Sequence, residues 1–333
     1  MRLVPALLCA AFWLMLGTAA RAEVTELRIA QQTSVAFLQF NVMKHQKLLE
    51  KHAAALGVPN LKVTYATFNG PDAMNDALLS GAVDIVSGGP PGLVIIWSKT
   101  FGTAREVRGV AGLARLPWLL NSRNPAVKTI RDFTAADKIA MPSVKSSSQA
   151  VLLQMASAKE WGAGQYDKLD PLTASMSPAD ATTGLLSGGG GFNAAFTVPP
   201  FQYMQLKNPA IHTVLDSRDV IGDSTAAYAW TTRTFHTANP KVHRAVVNAI
   251  KEASDFIMAN KREAALYFVS DTKAKVDPEE VVQIVSGAGV SYSATPLASA
   301  KWEEFMRQVG RHKAAAKSWK DLFFEDIHDQ PGS

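Results

Sequence analysis

Alternation of strand-like and helix-like segments is the feature that most limits the folds open to this chain. Between residues 27 and 114 short apolar stretches alternate with segments of helical spacing, in the order β-α-β-α-β-α-β. Strands joined through helices form an open parallel sheet with helices packed on its faces. This part of the chain therefore predicts an α/β lobe, with strands at 27–31, 61–65, 83–86 and 107–114.

The same alternation begins again at residue 138 and predicts a second α/β lobe. A further strand is predicted at 226–230, and the remaining chain has helical spacing. This order indicates that the chain leaves the first lobe, builds the second and then returns. Two crossings, near 115–120 and 226–233, would then form a hinge beside an interlobe cleft. We assign residues 23–115 and 231–333 to lobe 1, and residues 116–230 to lobe 2.

The first 22 residues have the pattern of a secretory signal peptide. Arg2 supplies a positive start, residues 7–17 are apolar, and Ala20-Arg21-Ala22 is a small-residue cleavage site. We predict cleavage after Ala22 and export to the periplasm. The alternative is that the segment stays as an N-terminal membrane anchor.

Removal of this segment changes what the composition implies. The 333-residue chain has a net charge of +5 and one cysteine, Cys9. Cys9 and two of the basic residues, Arg2 and Arg21, lie within the first 22 residues. The remaining 311 residues contain 32 basic and 29 acidic side chains and no cysteine. A charge of +3 is too weak to indicate nucleic-acid binding. Without cysteine, neither a disulfide nor a cysteine-based metal site is expected.

The common catalytic motifs are absent from the sequence. It contains no H-E-x-x-H zinc motif, no G-x-S-x-G nucleophile elbow, no Walker loop and no dinucleotide fingerprint. His45 and His52 are seven residues apart on one predicted helix, which is too far for an i,i+4 metal pair. We therefore predict a protein that is not an enzyme and that has no metal site and no cofactor.

Four loops that follow predicted strands carry the candidate ligand-binding residues. Ligands of open α/β sheets bind beyond the carboxyl ends of the strands. The loops there are rich in hydroxyl, amide, glycine and aromatic residues. From lobe 1 the candidates are Gln31, Gln32, Thr33, Phe37, Ser87, Gly88, Gly89 and Pro90. From the first crossing and lobe 2 they are Trp118, Lys145, Ser146, Ser147, Ser148, Thr197 and Phe201.

Each candidate also has a purely structural interpretation. Ser146–Ser148 stand where a strand turns into a helix, so they either bind an anion through hydroxyl and N–H groups or cap the helix. The glycines of the loop at 87–91 either let a ligand approach the backbone closely or simply form an ordinary turn. Phe37 is equally suited to the core, Trp118 to hinge packing, and Lys145 to solvent. Arg115 and Lys145 are the only cations nearby. This composition predicts a small organic ligand with a polar or anionic head and an apolar body.

Taken in order, these loops resemble the periplasmic solute-binding proteins of the nitrate/sulfonate/taurine class of ABC importers, which also includes binders of thiamine pyrimidine precursors. The resemblance rests on LRIAQQT at 27–33, ALLSGAVDIVSGGPP at 77–91, KIAMPSVKSSSQAVLL at 138–153 and SWKDLF at 318–323. It implies the type II periplasmic-binding-protein fold: two α/β lobes joined by a two-strand hinge, with the ligand cleft between them. It also implies that the chain is a monomer that delivers its ligand to an ABC permease with a cytoplasmic ATPase.

Two other functions stay open at this point. One is a secreted enzyme on the same two-lobed scaffold, and the other is a binding protein that serves a sensor kinase. Pyrimidine-synthesising relatives of this fold depend on histidine and cysteine iron-site residues. Because the predicted mature chain has no cysteine, that activity is not expected here.

Overall fold

The computed structural model describes residues 23–68, 70–272 and 276–333. The predicted signal peptide, residues 1–22, lies outside the described residues. No helix in the described part of the chain is both long enough and apolar enough to span a membrane.

The strands form two separate sheets. The larger, six-stranded sheet has the order β11-β4-β10-β3-β1-β2, and its strands are β1 (Glu26–Gln31), β2 (Lys62–Thr67), β3 (Ile85–Gly88), β4 (Val107–Arg115), β10 (Thr225–Thr232) and β11 (Ser291–Tyr292). The smaller, five-stranded sheet has the order β7-β6-β8-β5-β9, and its strands are β5 (Leu119–Ser122), β6 (Ile139–Met141), β7 (Thr173–Ser175), β8 (Ala194–Phe196) and β9 (His212–Asp216).

Thirteen α-helices cover these sheets within the described residues. In lobe 1 they are α1 (Leu38–His45), α2 (Leu48–Ala55), α3 (Pro71–Ser80), α4 (Pro90–Thr100), α9 (Arg233–Ala238), α10 (Pro240–Ala259), α11 (Lys261–Thr272), α12 (Pro278–Val285) and α13 (Ser299–Gln308). In lobe 2 they are α5 (Ser148–Trp161), α6 (Pro178–Ser187), α7 (Phe201–Gln205) and α8 (Arg218–Ile221).

Strand β10 corrects the predicted lobe boundary. We predicted that lobe 2 runs to residue 230, yet β10 lies in the larger sheet, antiparallel to both β3 and β4. All eight of its residues are buried, as expected of a central strand. The return crossing therefore precedes Thr225 and does not fall at 226–233. At the first crossing, β4 ends at Arg115, and β5, which begins at Leu119, belongs to the other sheet.

The helix starts follow local sequence chemistry. Proline occupies the first turn of α3, α4 and α6, where its missing N–H removes no helical hydrogen bond. We predicted one helix carrying both His45 and His52, but the two residues lie on separate helices. Lys47 has a left-handed backbone (φ 50°), which separates α1 from α2.

The two crossings contact each other and the core. Arg115, at the end of β4, pairs with Asp223 just before β10 at 3.3 Å. Trp118, in the first crossing, packs edge-to-face on Trp302 of α13 with ring centroids 6.1 Å apart. Because such an exposed ion pair contributes about 0–1 kcal/mol, the buried tryptophan pair is the stronger link at the hinge.

Candidate ligand-binding cleft

A cavity of about 520 Å³ lies between the two sheets and is lined from both. This volume is within the range of small-molecule sites. The residues from lobe 1 and the first crossing are Gln32, Thr33, Ser34, Ala36, Phe37, Phe68, Pro71, Gly89, Gly92, Trp118, Ala226 and Thr272. Those from lobe 2 are Pro142, Ser146, Ser147, Ser148, Gln149, Ser177, Pro178, Ala179, Thr182, Thr183, Leu186, Val198, Pro200, Phe201 and Met204.

Two helices of lobe 2 begin at the cavity wall. Ser147 caps α5, since its hydroxyl accepts a hydrogen bond from Ala150 N at 3.2 Å. Ser177 caps α6 in the same way, accepting from Asp180 N at 3.2 Å. The first N–H groups of a helix have no intrahelical acceptor, and the N-terminus carries partial positive charge. Both helix starts are therefore suited to a polar or anionic ligand group.

Ser148 has a hydroxyl that makes no hydrogen bond within the described residues. Its Oγ is buried and has no hydrogen-bond partner among the described residues. It faces Gly89 of lobe 1, where an added Cβ would overlap this oxygen. A buried hydroxyl without a partner costs free energy. At this point of the cavity wall, Ser148 Oγ is therefore a buried hydroxyl whose hydrogen-bonding capacity no described residue uses.

The two lobes touch at several points around the cavity. Ser146 Oγ donates to Asp72 Oδ2 of α3 at 2.8 Å. Ser34 Oγ donates to the Pro199 carbonyl at 2.8 Å. These hydrogen bonds join residues of different lobes, so they require the lobes to be close together. The structure is that of a closed cleft.

The C-terminal segment of lobe 1, residues 309–333 after α13, adds another link between the lobes. The Arg311 guanidinium donates to the Lys145 carbonyl and, at 2.6 Å, to Gln154 Oε1 of α5. Burial lowers the pKa of Arg311 from its ordinary value, yet an arginine that starts so high keeps its charge. Burial also raises the pKa of the neighbouring Asp170 carboxyl. Arg311 therefore holds the loop before α5 against lobe 1.

Another part of the wall is apolar. Phe37, Phe68, Trp118 and Phe201 contribute rings, and Met204, Leu186 and Val198 contribute aliphatic surface. Phe37 and Trp118 are packed in the protein interior and also line the cavity, which were the two alternatives left open by the sequence. Each is buried in the core, with 6% and 3% of its surface exposed, and each presents a face to the cavity.

The part of the wall that the structure describes contains no Lys, Arg, Asp, Glu or His. Lys145 is exposed outside the cavity, and Arg115 lines a separate cavity of about 250 Å³ beside the hinge. We predicted these two residues as the cations near the ligand, but neither lines the cleft. Negative charge on a ligand would be met by hydroxyls and helix N-termini.

Nine of the predicted site residues line the cavity: Gln32, Thr33, Phe37, Gly89, Trp118, Ser146, Ser147, Ser148 and Phe201. The six that do not are Gln31, Ser87, Gly88, Pro90, Lys145 and Thr197.

Local geometry explains why four of these six lie elsewhere. Gln31 is still part of β1, with its carbonyl accepting from Phe68 N at 2.9 Å. Ser87 is fully buried and donates to the Ala30 carbonyl at 3.1 Å. Gly88 lies under the Trp230 ring, and Pro90 is buried in the first turn of α4.

The other two residues lie in loops that follow strands, Thr197 just after β8 and Lys145 between β6 and α5. Thr197 is fully buried, and its hydroxyl accepts a hydrogen bond from Gln205 Nε2 at 3.1 Å. Its carbonyl accepts from Gln149 Nε2 at 3.0 Å. Thr197 thus supports Gln149, a lining residue, from behind. Lys145 has a left-handed backbone (φ 68°) and turns its side chain to solvent.

The start of α6 is the largest part of the wall that the sequence reasoning missed. Ser177, Pro178, Ala179, Thr182 and Thr183 all line the cavity. The sequence does contain a signal for this site, because Ser177-Pro178 after a strand is the pattern of a helix start. The strand before it is only three residues long, Thr173–Ser175, which made the loop easy to overlook.

No protein-family model matches this sequence, and a comparison with curated proteins found no match. Solved structures do match. The alkanesulfonate-binding protein SsuA from Xanthomonas axonopodis pv. citri, bound to MOPS, has a TM-score of 0.68 at 19% identity, covering 86% of this chain and 94% of that one. The periplasmic aliphatic sulphonate binding protein SsuA from Escherichia coli has a TM-score of 0.65 at 18% identity, covering 90% and 99%.

The periplasmic nitrate-binding protein NrtA from Synechocystis PCC 6803 is also similar, with a TM-score of 0.66 at 15% identity, covering 89% of this chain and 84% of that one. These identities are low, so the likeness bears on the fold and not on the ligand. It confirms the fold that the sequence predicts. The chain has the periplasmic-binding-protein fold, with two α/β lobes and a cleft between them.

Proposed function

We propose that this chain is the extracytoplasmic solute-binding component of an ABC importer. It captures a small organic molecule with a polar or anionic head and delivers it to the permease. One observation carries the proposal: the cavity of about 520 Å³ is walled by both lobes and combines helix N-termini with aromatic rings. The signal-peptide pattern before Glu23 supports a periplasmic location.

The residues that line the cleft favour an organic sulfonate-like solute over a bare inorganic anion such as nitrate. An inorganic anion would use the hydroxyls and N–H groups and leave the rings of Phe37, Phe68 and Phe201 in contact with water. A solute with an apolar body would bury that surface as well, at about 25 cal/mol per Å². Solved structures of similar fold include binders of alkanesulfonate and of nitrate, so both classes belong in the test.

Ligand binding would stabilise the closed state. A solute that touches both Thr33 of lobe 1 and Ser148 of lobe 2 favours the conformation in which both are within reach. The interlobe hydrogen bonds from Ser146 to Asp72 and from Ser34 to Pro199 then form together with the ligand contacts. A permease can distinguish this closed, loaded form from an open, empty one.

A catalytic role has less support than binding. Serine and threonine hydroxyls line the cleft, but the lining residues that the structure describes include no histidine, lysine or carboxylate. A nucleophilic hydroxyl needs such a base beside it. The lining is therefore suited to holding a solute rather than to transforming it. Delivery to a sensor kinase in place of a permease would use the same cleft.

A thermal-shift panel tests the proposal. We would screen alkyl and aromatic sulfonates, taurine, nitrate, carboxylates and pyrimidines, and measure any hit by calorimetry. The expected result is one site per chain for an organic anion, with no conversion of the bound ligand. Absence of binding across the whole panel would count against the proposal, and turnover of a bound ligand would favour the enzyme alternative.

A further inference from the structure

A cluster of two histidines and one aspartate lies outside the cleft, where the C-terminal segment meets α9 and α10. His236 belongs to α9, His243 to α10 and Asp326 to the short 3-10 helix Glu325–Ile327. One nitrogen or oxygen from each of the three lies within 4.8 Å of the other two. None of these residues lines the ligand cavity, so the proposed transport function does not use them.

The donor atoms lie close to the spacing of a metal site. His236 Nε2 is 3.0 Å from Asp326 Oδ2, and His243 Nδ1 is 3.2 Å from the same oxygen. Zinc bonds of about 2.0–2.2 Å in tetrahedral geometry place neighbouring ligand atoms roughly 3.3 Å apart. A small outward shift of the three side chains would admit the ion between them.

His243 is the second indication, independent of the spacing. Its side chain is fully buried, and neither ring nitrogen has a hydrogen-bond partner in the part of the chain that the structure describes. Its Nδ1 approaches Asp326 but is not aligned to donate. Leaving a buried polar group without a partner costs roughly 1–3 kcal/mol. A metal bond at Nδ1 would satisfy this nitrogen.

Neighbouring side chains fix the orientation of the three groups. Phe324 stacks on His236 at a centroid distance of 4.2 Å, and His243 packs edge-on against His236 at 4.4 Å. Arg244 Nη2 donates to Asp326 Oδ1 at 2.8 Å, which leaves Oδ2 directed at both imidazoles. Such outer contacts hold metal ligands in place.

We propose that His236, His243 and Asp326 bind a divalent cation of the Zn²⁺ type, with water in the fourth position. The ion would fasten the C-terminal segment to α9 and α10 of lobe 1. Two imidazoles and one carboxylate are a ligand set that Zn²⁺ accepts. The sequence analysis predicted no metal site, because the ligands come from segments up to 90 residues apart and match no spaced motif.

The test uses the full mature chain without a polyhistidine tag, stripped with a chelator and then titrated with Zn²⁺. We expect one Zn²⁺ per chain by calorimetry and elemental analysis, and a melting temperature that rises with Zn²⁺ concentration. His236→Gln should weaken Zn²⁺ binding by at least about tenfold. The matched control is His45→Gln, another partly exposed histidine near a carboxylate, 3.1 Å from Asp271, and it should leave the affinity unchanged.

Two results would overturn the site. One is less than one Zn²⁺ per chain at saturation, and the other is equal Zn²⁺ affinity in the His236→Gln variant and the parent. Because His236→Gln changes packing against Phe324, circular dichroism must first show that it is folded. If it is not, the visible spectrum of the Co²⁺-loaded parent decides. Intense bands of four-coordinate Co²⁺ support the site, and only the weak bands of six-coordinate Co²⁺ contradict it.

Discussion

At the residue scale, Ser148 and Ser157 form a matched pair that distinguishes an effect on ligand binding from an effect on folding. Both lie on α5, and both have a buried hydroxyl without a partner among the described residues. Only Ser148 lines the cavity. Because neither hydroxyl makes a hydrogen bond within the described chain, removal of either should cost the fold little. A difference between the two alanine variants therefore reports on the ligand.

We expect Ser148→Ala to weaken binding of a panel ligand by about tenfold, since a hydrogen bond to a charged group contributes about 1.5–3 kcal/mol and a neutral one less. Ser157→Ala should leave the affinity unchanged. Calorimetry on the two variants measures the difference. Equal affinities would mean that the Ser148 hydroxyl does not contact the ligand.

Asp137 stabilises lobe 2 through its charge. Only 1% of its surface is exposed, and its carboxylate accepts hydrogen bonds from Thr134 N (2.8 Å), Asn124 Nδ2 (2.9 Å) and Asn193 Nδ2 (2.7 Å). Burial alone would raise the pKa of Asp137, but these hydrogen bonds to the charged form outweigh it and lower the pKa. The folded chain therefore releases this proton more readily than the unfolded chain does.

The sign of the pH effect follows from that lowered pKa. The stabilising contribution of Asp137 is present above the unfolded value of about 3.9 and is lost as the pH falls through the lower folded value. We expect the free energy of unfolding, from urea titrations, to fall below about pH 4, and to fall less steeply in Asp137→Asn. Asp76→Asn, at an exposed position of α3, is the control. The same acid slope in Asp137→Asn as in the parent would contradict this role.

At the scale of elements, the starts of α4 and α5 approach each other across the cleft. Gly89 caps α4 with an ordinary backbone (φ −73°, ψ 159°), so alanine is compatible with its conformation. An added methyl group would nevertheless overlap Ser148 Oγ and lie 3.3 Å from Ser148 Cβ. Even with the Ser148 hydroxyl turned away, the methyl group would press on Ser148 Cβ, so the closed arrangement favours glycine at this position, whereas the fold of lobe 1 does not need it.

We expect Gly89→Ala to weaken ligand binding by at least about tenfold, because the lobes cannot close to the same distance and the ligand loses contacts with one of them. The melting temperature of the ligand-free protein should change little. Gly164→Ala is the matched control, since no atom lies within 4 Å of the position of its Cβ. Unchanged ligand affinity in Gly89→Ala would show that binding does not need this closure.

At this scale, the sequence predicts where helices and strands lie along the chain better than it predicts which strands pair with each other. Proline locates the starts of α3, α4 and α6, and glycine locates the ends of α3 and α6, because these signals act within one turn. The end of α4, at Thr100, has no such glycine. Gln32 lines the cavity and Gln31 does not, because β1 ends at Gln31. Hydrophobic periodicity does not predict the end of a strand to within one residue. The insertion of β10 between β3 and β4 depends on tertiary pairing and has no local signal.

At the scale of the whole molecule, the C-terminal segment helps to set the balance between open and closed forms. Arg311 belongs to lobe 1 by chain position but donates hydrogen bonds to the Lys145 carbonyl and to Gln154 Oε1 of lobe 2. These contacts exist only while the lobes are together. Arg307, four residues earlier, pairs with Glu303 on its own helix at 3.2 Å.

Arg311→Ala should therefore weaken ligand affinity several-fold, mainly through faster dissociation, because the ligand must then hold the lobes together with fewer protein contacts. Arg307→Ala should leave both rates unchanged. Stopped-flow or surface plasmon resonance measurements separate the two rate constants. Equal dissociation rates for Arg311→Ala and the parent would show that this link does not contribute to closure.

The central claim is that the cleft binds an organic solute with its head at the starts of α5 and α6 and its body against the rings. A crystal structure with the tightest ligand of the panel tests it most directly. We expect head-group oxygens within hydrogen-bond distance of Ser148 and Ser177, and the apolar body on Phe37 and Phe201. A ligand bound outside the cleft, or with its head directed at the rings, would contradict it.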